Sequence, residues 1–340
     1  MSQFDVSAAR AVAAMRGRKA LLVGDFVLDT YLYGETVRVS REAPVIVVRK
    51  ERLEHRLGGA ANAAQNLAAL GVETQVLGVI GRDPAGTQLR TMLVSAGVGV
   101  EGLSAGAVTT PQKTRVLAGA FGTARQQVLR IDDEPEGALS VDAASGVARD
   151  LEGRATEVDV VVVSDYGAGA ITEPVIEAVN AVARRGIKVC VDSRYRLASF
   201  SGVAAIKPNI PEASELVGFP LTEEAAVERA GKALLSRLGC GACLITQGRR
   251  GMTLFQRGEK SRHVAIVGEE EVTDVTGAGD TVTATLSAAL AAGIGLVNGM
   301  LLSNCAASAV VMKVGSATAA PAEIIEIATL GKVELEPWGG

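Results

Sequence analysis

The segment DVTGAGDT, Asp274 to Thr281, brings together residue types that phosphate chemistry needs, and an apolar helical stretch follows it. Gly277, Ala278 and Gly279 let the backbone turn tightly and leave amide N–H groups bare at a helix N-terminus. Unpaired donors and the helix dipole both favour negative charge there, so the turn reads as an anion site. Asp280 falls in the first helical turn, beside that anion. A carboxylate binds phosphate poorly but is well placed to take a proton from a hydroxyl attacking phosphorus. The helix N-terminus is expected to keep Asp280 ionised at neutral pH. Taken alone, the same residues also fit a helix cap with glycines for packing.

Four weaker patterns accompany it. Asn209 and Glu212, in KPNIPEASELVG, follow a strand candidate, where α/β sheets carry ligands. An amide and a carboxylate three apart suit the water shell of Mg²⁺, which keeps most of its waters, and they equally suit a helix start. Thr246, Gly248 and Gly251, in ITQGRRG, suit a turn against a nucleotide or a plain hairpin. Asp25 and Asp29 close the first strand in GDFVLD. Gly58, Gly59 and Asn62, in GGAANAAQN, sit at a helix start, where paired glycines permit close approach to a polyhydroxyl ligand.

These groups need a rigid frame. Continuous β-branched runs alternate with Ala-rich helical stretches, which predicts a parallel sheet covered on both faces. Strands are expected at 19–25, 74–81, 158–165, 187–192, 204–209 and 242–248, with helices at 60–71, 171–186 and 222–239. The stretches 277–293 and 297–315 read as two buried helices, being apolar all round. Residues 31–50 and 112–132 alternate in strand fashion instead, which predicts a small β-lid over a ligand. No repeat or flexible linker divides the chain, so residues 1–340 read as a single domain.

Composition removes several function classes. The net charge is −4, aromatics make up 3%, and no basic stretch is interleaved with them, which argues against nucleic-acid binding. Apolar runs such as Val158 to Val163 are too short to cross a bilayer. The first twenty residues read as an amphipathic helix and not a targeting segment, so a cytoplasmic location is expected. Cys240 and Cys243 form a lone CxxC without a second pair, which reads as two small buried residues and not a metal or redox site. SDYGAGAI offers GxG after a strand, but Thr172 stands where a dinucleotide fingerprint needs its third glycine, and no P-loop motif occurs.

The order of the motifs is more telling than any one of them. GD…D near 25, GGAAN near 60, NxxE near 210, TxGxxG near 246 and DxTGAGD near 274 resemble the ribokinase-like (PfkB) carbohydrate kinases from about residue 19 to 320. That resemblance implies a three-layer α/β/α fold with a mostly parallel sheet and a β-lid, and an enzyme that passes the γ-phosphate of ATP to a sugar hydroxyl. It implies Asp280 as base and Gly277 to Gly279 as anion hole. Asn209 and Glu212 would serve Mg²⁺ and phosphate, with Thr246, Gly248, Gly251 and Asn304 around the nucleotide. Asp29, Gly58, Gly59, Asn62 and Asp165 would hold the sugar. A K⁺ or similar monovalent cation would sit near Asp274 and the VMKVGSA loop, and the lid would form a homodimer surface.

Within the family, GDFVLDTYLYG, VSREAPV, RQQVLRID, SDYGAGAI and KVGSAT are most similar to the kinases acting at O1 of D-glycero-D-manno-heptose 7-phosphate. The chain as given, ending at Gly340, would match the stand-alone form of that kinase. One departure stands out: Asp192, Ser193 and Arg194 occupy the place of the expected Asp-Pro-Lys. Arg194, and with it Arg38 or Arg41 of the lid, is the expected contact for a substrate phosphate, since a guanidinium binds two oxygens at once. Ribose, fructose or nucleoside kinases use the same machinery, and a sensor that binds sugar and nucleotide without catalysis is the reading from another class.

Overall fold

The computed structural model describes residues 3–120, 124–267 and 273–334. In chain order the elements are α1 (Gln3–Met15), β1 (Lys19–Gly24), β2 (Phe26–Val39), β3 (Ile46–Gly59), α2 (Ala60–Ala69), β4 (Glu73–Gly81), α3 (Pro84–Ser95) and β5 (Gly99–Gly106). Then come β6 (Gln112–Gly119), β7 (Gln126–Asp133), α4 (Val141–Arg154), β8 (Val160–Asp165), α5 (Glu173–Arg184), β9 (Val189–Ser193), β10 (Ala205–Ile206) and α6 (Ile210–Val217). The last are α7 (Glu224–Leu238), β11 (Ala242–Thr246), β12 (Met252–Gln256), β13 (Arg262–Val264), α8 (Ala278–Ala291), α9 (Leu296–Val311) and α10 (Pro321–Leu330).

Nine strands form the main sheet in the order β13-β12-β11-β10-β9-β8-β1-β4-β5. Neighbours from β11 to β5 pair in parallel, while β12 and β13 turn back antiparallel at one edge. The apolar runs of β1 and β8 explain why helices cover both faces. Ala20, Leu22, Val160 and Val162 point into one core with α1, α2, α8, α9 and α10. Leu21, Val23, Val161 and Val163 point into the other, with α4, α5 and α7. A strand with period two presents alternate residues to opposite faces, so only a continuous hydrophobic run fills two cores. The predicted three-layer architecture is therefore present.

The lid is a separate four-stranded sheet ordered β3-β2-β6-β7. Its strands run beyond the expected segments: β2 and β3 cover 26–39 and 46–59, so Gly58 and Gly59 close a lid strand as well as opening α2. Residues 121–123 of the second expected lid segment lie outside the described residues. Register fixes two unlike faces. Arg56, Asp29, Lys113 and Asp132 stand in one row, and Glu54, Tyr31, Arg115 and Arg130 in the next row of the same face. The opposite face carries Leu53, Leu129 and Ile131, exposed by 41%, 53% and 49%.

Two sequence expectations need correction. The strand expected at 204–209 shrinks to Ala205–Ile206, because Pro208 has no N–H for a ladder and Asn209 already caps α6. Strands β5, β12 and β13 were not anticipated; β5 is Gly-rich and β13 spans three residues, so neither offers a clear alternation. Cys240 and Cys243 are free, buried thiols packed in the second core. Among the described residues no helix is long and apolar enough to cross a membrane.

Candidate active site

Asp280 lies at the carboxyl end of the parallel strands, in the first turn of α8, and is 3% exposed. Gly277 caps that helix with φ of +80°, a left-handed conformation that glycine adopts without strain. A side chain there would also run into Asn62. Asp280 accepts two hydrogen bonds from distant parts of the chain. Tyr166 Oη donates to Oδ1 at 2.5 Å, and Asn62 Nδ2 donates to Oδ2 at 2.8 Å.

The electrostatics overturn one expectation. The helix N-terminus was expected to hold Asp280 ionised, yet burial pushes its carboxyl up to about 7, against the hydrogen bonds from Tyr166 and Asn62. Asp192 raises it further and Lys207 draws it back. Desolvation of a nearly inaccessible carboxylate outweighs a dipole that acts within one helical turn.

Tyr166 is positioned by Asp25, which follows β1. Its Oδ2 accepts the backbone N–H of Tyr166 at 2.8 Å and of Ala168 at 3.1 Å, while Oδ1 accepts that of Ala170 at 2.9 Å. The loop after β8 is thus wrapped around one buried carboxylate. Asp165, beside it, accepts from Ser193 Oγ at 2.6 Å and from Gly167 N at 2.9 Å. Burial, opposed by the Ser193 bond and helped by Asp25, pushes Asp165 up to about 6.

On the lid side, Asp29 accepts from Arg115 Nη1 at 2.6 Å and from Ser316 Oγ at 3.0 Å. Gly58 pairs with Val27 on the β2–β3 ladder, diagonal to Asp29, and any Cβ there would collide with the Asp29 carboxylate. Asn62, expected among the sugar ligands, turns to Asp280 instead. Arg38 and Arg41 lie exposed toward the lid tip, while Arg115 reaches the centre. Arg194 lines a small cleft of about 230 Å³ with Tyr195, Glu212 and Glu215, apart from Asp29.

On the other side of Asp280 a cleft of about 1030 Å³ opens. Asn209, Thr246, Gly248, Gly251, Ala278, Gly279 and Asn304 all border it, as does Lys207. Its far wall is apolar, built from Ile266, Val275, Val311 and Leu330. Asn209 and Glu212 form a reciprocal capping box: Asn209 Oδ1 accepts from Glu212 N, and Glu212 Oε2 from Asn209 N, each at 2.9 Å. The helix-start reading of this pair is therefore realised, and Glu212 Oε1 is left outside the cap. Asn304 donates to the Ala265 carbonyl at 2.6 Å. Asp274 accepts from Thr276 N at 2.9 Å and Gly315 N at 2.8 Å, and these bonds outweigh burial and hold its carboxyl below the usual range.

Sequence reasoning missed Lys207, Tyr166, Arg115 and Ser316 as members of this constellation. Tyr166 and Lys207 stood inside quoted motifs, SDYGAGAI and KPNIPEASELVG, but nothing in their spacing announced Asp280 as the partner of the first or Asp192 as the partner of the second. A consequence for stability follows from Asp280. Its folded value lies above the ordinary 3.8, so the folded protein retains a proton that the unfolded chain releases. That contribution is complete below the lower value and is lost as pH rises through about 7. Asp280→Asn, which carries no charge, should gain more stability relative to the parent at pH 8 than at pH 5, as urea denaturation at both pH values would show.

Residues 18–323 match the pfkB family of carbohydrate kinases. The protein named bifunctional protein HldE from Citrifermentans bemidjiense is 42% identical over 310 residues, covering 90% of this chain and 62% of that protein. Its namesake from Pseudomonas aeruginosa is 42% identical over 306 residues, covering 89% of this chain and 62% of its own length. The chain thus spans less than two thirds of these relatives. Among solved structures, phosphofructokinase-2 from Escherichia coli in complex with potassium superposes with a TM-score of 0.77 at 21% identity, over 93% of this chain and 99% of that one. Ribokinase from Arabidopsis thaliana, complexed with ribose and ATP, gives 0.70 at 22% identity, over 92% and 98% of the two chains. Fold, site and sequence agree that the chain belongs to the pfkB family of carbohydrate kinases, phosphotransferases that act on a sugar hydroxyl.

Proposed function

We propose that this kinase transfers the γ-phosphoryl group of ATP to O1 of D-glycero-D-manno-heptose 7-phosphate, in the cytoplasm, with Asp280 as general base. The observation that carries the reading is the setting of Asp280, between the deep cleft and the lid residue Asp29, at the N-terminus of α8. The hydroxyl oxygen attacks the γ-phosphorus as its proton passes to Asp280. The bond from that phosphorus to the bridging oxygen breaks, and ADP leaves with the electron pair. The helix N-terminus at Gly277 to Gly279 faces the charge that develops on the phosphoryl oxygens, with the Ala278 N–H also donating to the Val275 carbonyl at 3.3 Å. A base whose carboxyl sits near 7 takes a proton more readily than an ordinary carboxylate, yet is ionised in useful amount at neutral pH.

The cleft supports the nucleotide reading: Thr246, Gly248, Gly251 and Asn304 border it, and its apolar wall suits a nucleobase. Asn209 and Glu212 would hold Mg²⁺ through its waters, because Glu212 Oε1 lies outside the cap and burial disfavours its charge unless a cation is near. Bound magnesium would neutralise phosphate charge. Asp274, ionised beside the loop at Gly315, is the group that fits a monovalent cation such as K⁺.

Asp29 and Asp165 supply acceptors for sugar hydroxyls, with Gly58 and Gly59 giving room for close approach and Asn62 bracing the base. For the substrate's own phosphate, the heptose-kinase motifs are supported by two cations on the inner lid face. Lys113 and Arg115 stand on it beside Asp29, and Lys113 Nζ lies 5.6 Å from the Tyr166 ring centre. They are nearer the centre than Arg38 and Arg41, while Arg194 remains available from the opposite rim.

The exposed apolar face of the lid supports a homodimer, since a single-chain sheet leaves it in water. Ile131→Asp on that face should convert a dimer to a monomer in sedimentation at micromolar concentration, and a parent protein that is already monomeric would contradict the dimer. Asp280→Asn should lower turnover on the heptose phosphate by about 10² or more, with ATP and sugar affinities little changed. Turnover by the parent should rise with pH through about 7 as Asp280 ionises. Tyr166→Phe, which loses a donor that favours the ionised base, should move that limb to higher pH. A folded Asp280→Asn protein within about threefold of the parent would mean that Asp280 is not the base.

A further inference from the structure

Lys207 follows β10 directly, and its backbone N–H continues the ladder to Val191 O at 3.0 Å. The side chain turns into the protein at the carboxyl end of the sheet and is 4% exposed. Its ammonium pairs with Asp192 Oδ2 at 3.0 Å, an oxygen that also accepts from Thr283 Oγ1 at 2.9 Å. An ammonium carries three donors. The other two have no acceptor among the described residues, although the group is nearly sealed from bulk water. They lie against the start of α8: a Cβ built on Gly279 would stand 3.5 Å from Lys207 Nζ. Lys207 also borders the same cleft as Ala278 and Gly279.

A purely structural role explains this arrangement poorly. A buried ion pair contributes little net stability once both charges are desolvated, and two unused donors make the balance worse. Burial alone would drive the proton off. The Asp192 carboxylate, 3.0 Å from the ammonium, is what holds the charge in place. The site thus holds an ion-paired ammonium beside the first turn of α8. The neighbouring cation in sequence does not fill that place, because Arg194 lines the separate cleft with Glu212 and Tyr195.

We propose that Lys207 is a catalytic residue whose ammonium binds the non-bridging oxygens of the phosphoryl group during its transfer. Asp192 is then a positioning residue, holding the amine through one hydrogen and leaving two for the phosphoryl oxygens. Lys207 stays protonated throughout: the substrate proton goes to Asp280, and the electron pair of the broken P–O bond leaves on ADP. As negative charge moves between oxygens, a fixed cation in a dry site stabilises the transition state more than the bound reactants. The inference rests on sugar-kinase chemistry and not on the identity of the sugar.

The test compares Lys207→Met with the parent, using whichever sugar the parent turns over. Turnover should fall roughly 10² to 10³-fold, as for loss of one oxyanion donor, while the KM for sugar stays within about threefold. ADP with aluminium fluoride, a mimic of the phosphoryl group in flight, should bind the parent more tightly than ADP alone in the presence of sugar. Lys207→Met should lose that gain and keep its affinity for ADP. Lys207→Met also strands Asp192, so Asp192→Asn is added to it to remove the buried charge. Recovery of stability without recovery of rate supports the proposal. Recovery of rate in the double variant, or an undiminished aluminium fluoride effect in Lys207→Met, overturns it by reducing Lys207 to a structural partner of Asp192. If the heptose phosphate proves to be the wrong acceptor, the parent will show it first, and the comparison runs unchanged on the sugar it does accept.

Discussion

Placing a carboxylate out of water at the first turn of α8 is the constraint around which the rest of the site is arranged. A charged carboxyl in such a setting is costly unless donors and cations surround it. Each donor to Asp280 comes from a different part of the chain. Asn62 arrives on α2, directly after lid strand β3, and Tyr166 on the loop after β8. The Tyr166 loop has no regular structure of its own, so Asp25 gathers its amides into one buried acceptor. The parallel sheet makes this convergence possible, because strands β1 and β8 end side by side.

A second set of bonds ties the lid to the nucleotide side through the loop between α9 and α10. Lys313 anchors that loop on the Thr318 carbonyl and on Glu323, at 2.8 Å each. Between those anchors, Gly315 N donates to Asp274, Ser316 Oγ donates to Asp29, and the Val314 carbonyl accepts from Arg56 of β3. Val314, Gly315 and Ser316 therefore link the lid, the turn at Gly277 and Asp274. Asp29 is held by Arg115 as well as Ser316. A ligand hydroxyl that approaches Asp29 meets a carboxylate already oriented by two donors, with its remaining lone pairs free to accept.

The frame was legible because its signals are periodic and local. The run Val160–Val163 fills both cores, and only a strand buried on two faces needs such a sequence. The alternation at 31–50 likewise announced a lid, though its polar and apolar faces could not be assigned before the register was known. Asp280 was legible from Gly277 and Gly279, since an exposed-amide turn before a helix has a sequence form. Its charge state was not. The helix dipole is written in neighbouring residues, whereas desolvation depends on Tyr166, Asn62, Lys207 and Asp192, which lie between 73 and 218 positions away. The same reasoning explains Lys207, which beside Pro208 and Asn209 carries no local mark of its role. Nothing local says that β10 delivers it to Asp192 on β9.

The two lid faces show how one strand period serves opposite ends. A residue pointing inward from β2 or β6 must live beside Asp29 and Tyr31, where charge is balanced within the face. The alternate residues point to the opposite face, where Leu53 of β3 and Leu129 and Ile131 of β7 are about half exposed. A one-residue slip in register would exchange these sets, putting isoleucine and leucine against Asp29 and arginine on the outside. The bulges after Tyr33 and Thr36 lie beyond the Asp29 and Tyr31 rows, so irregularity gathers toward the tip while the rows near the site stay in register. Gly58 completes the case from the other direction. Diagonal to Asp29, two positions along β3 from its partner Arg56, the ladder needs a residue with no side chain at all, and the strand gives up packing at that point so that the carboxylate can stand where Ser316 and Arg115 reach it.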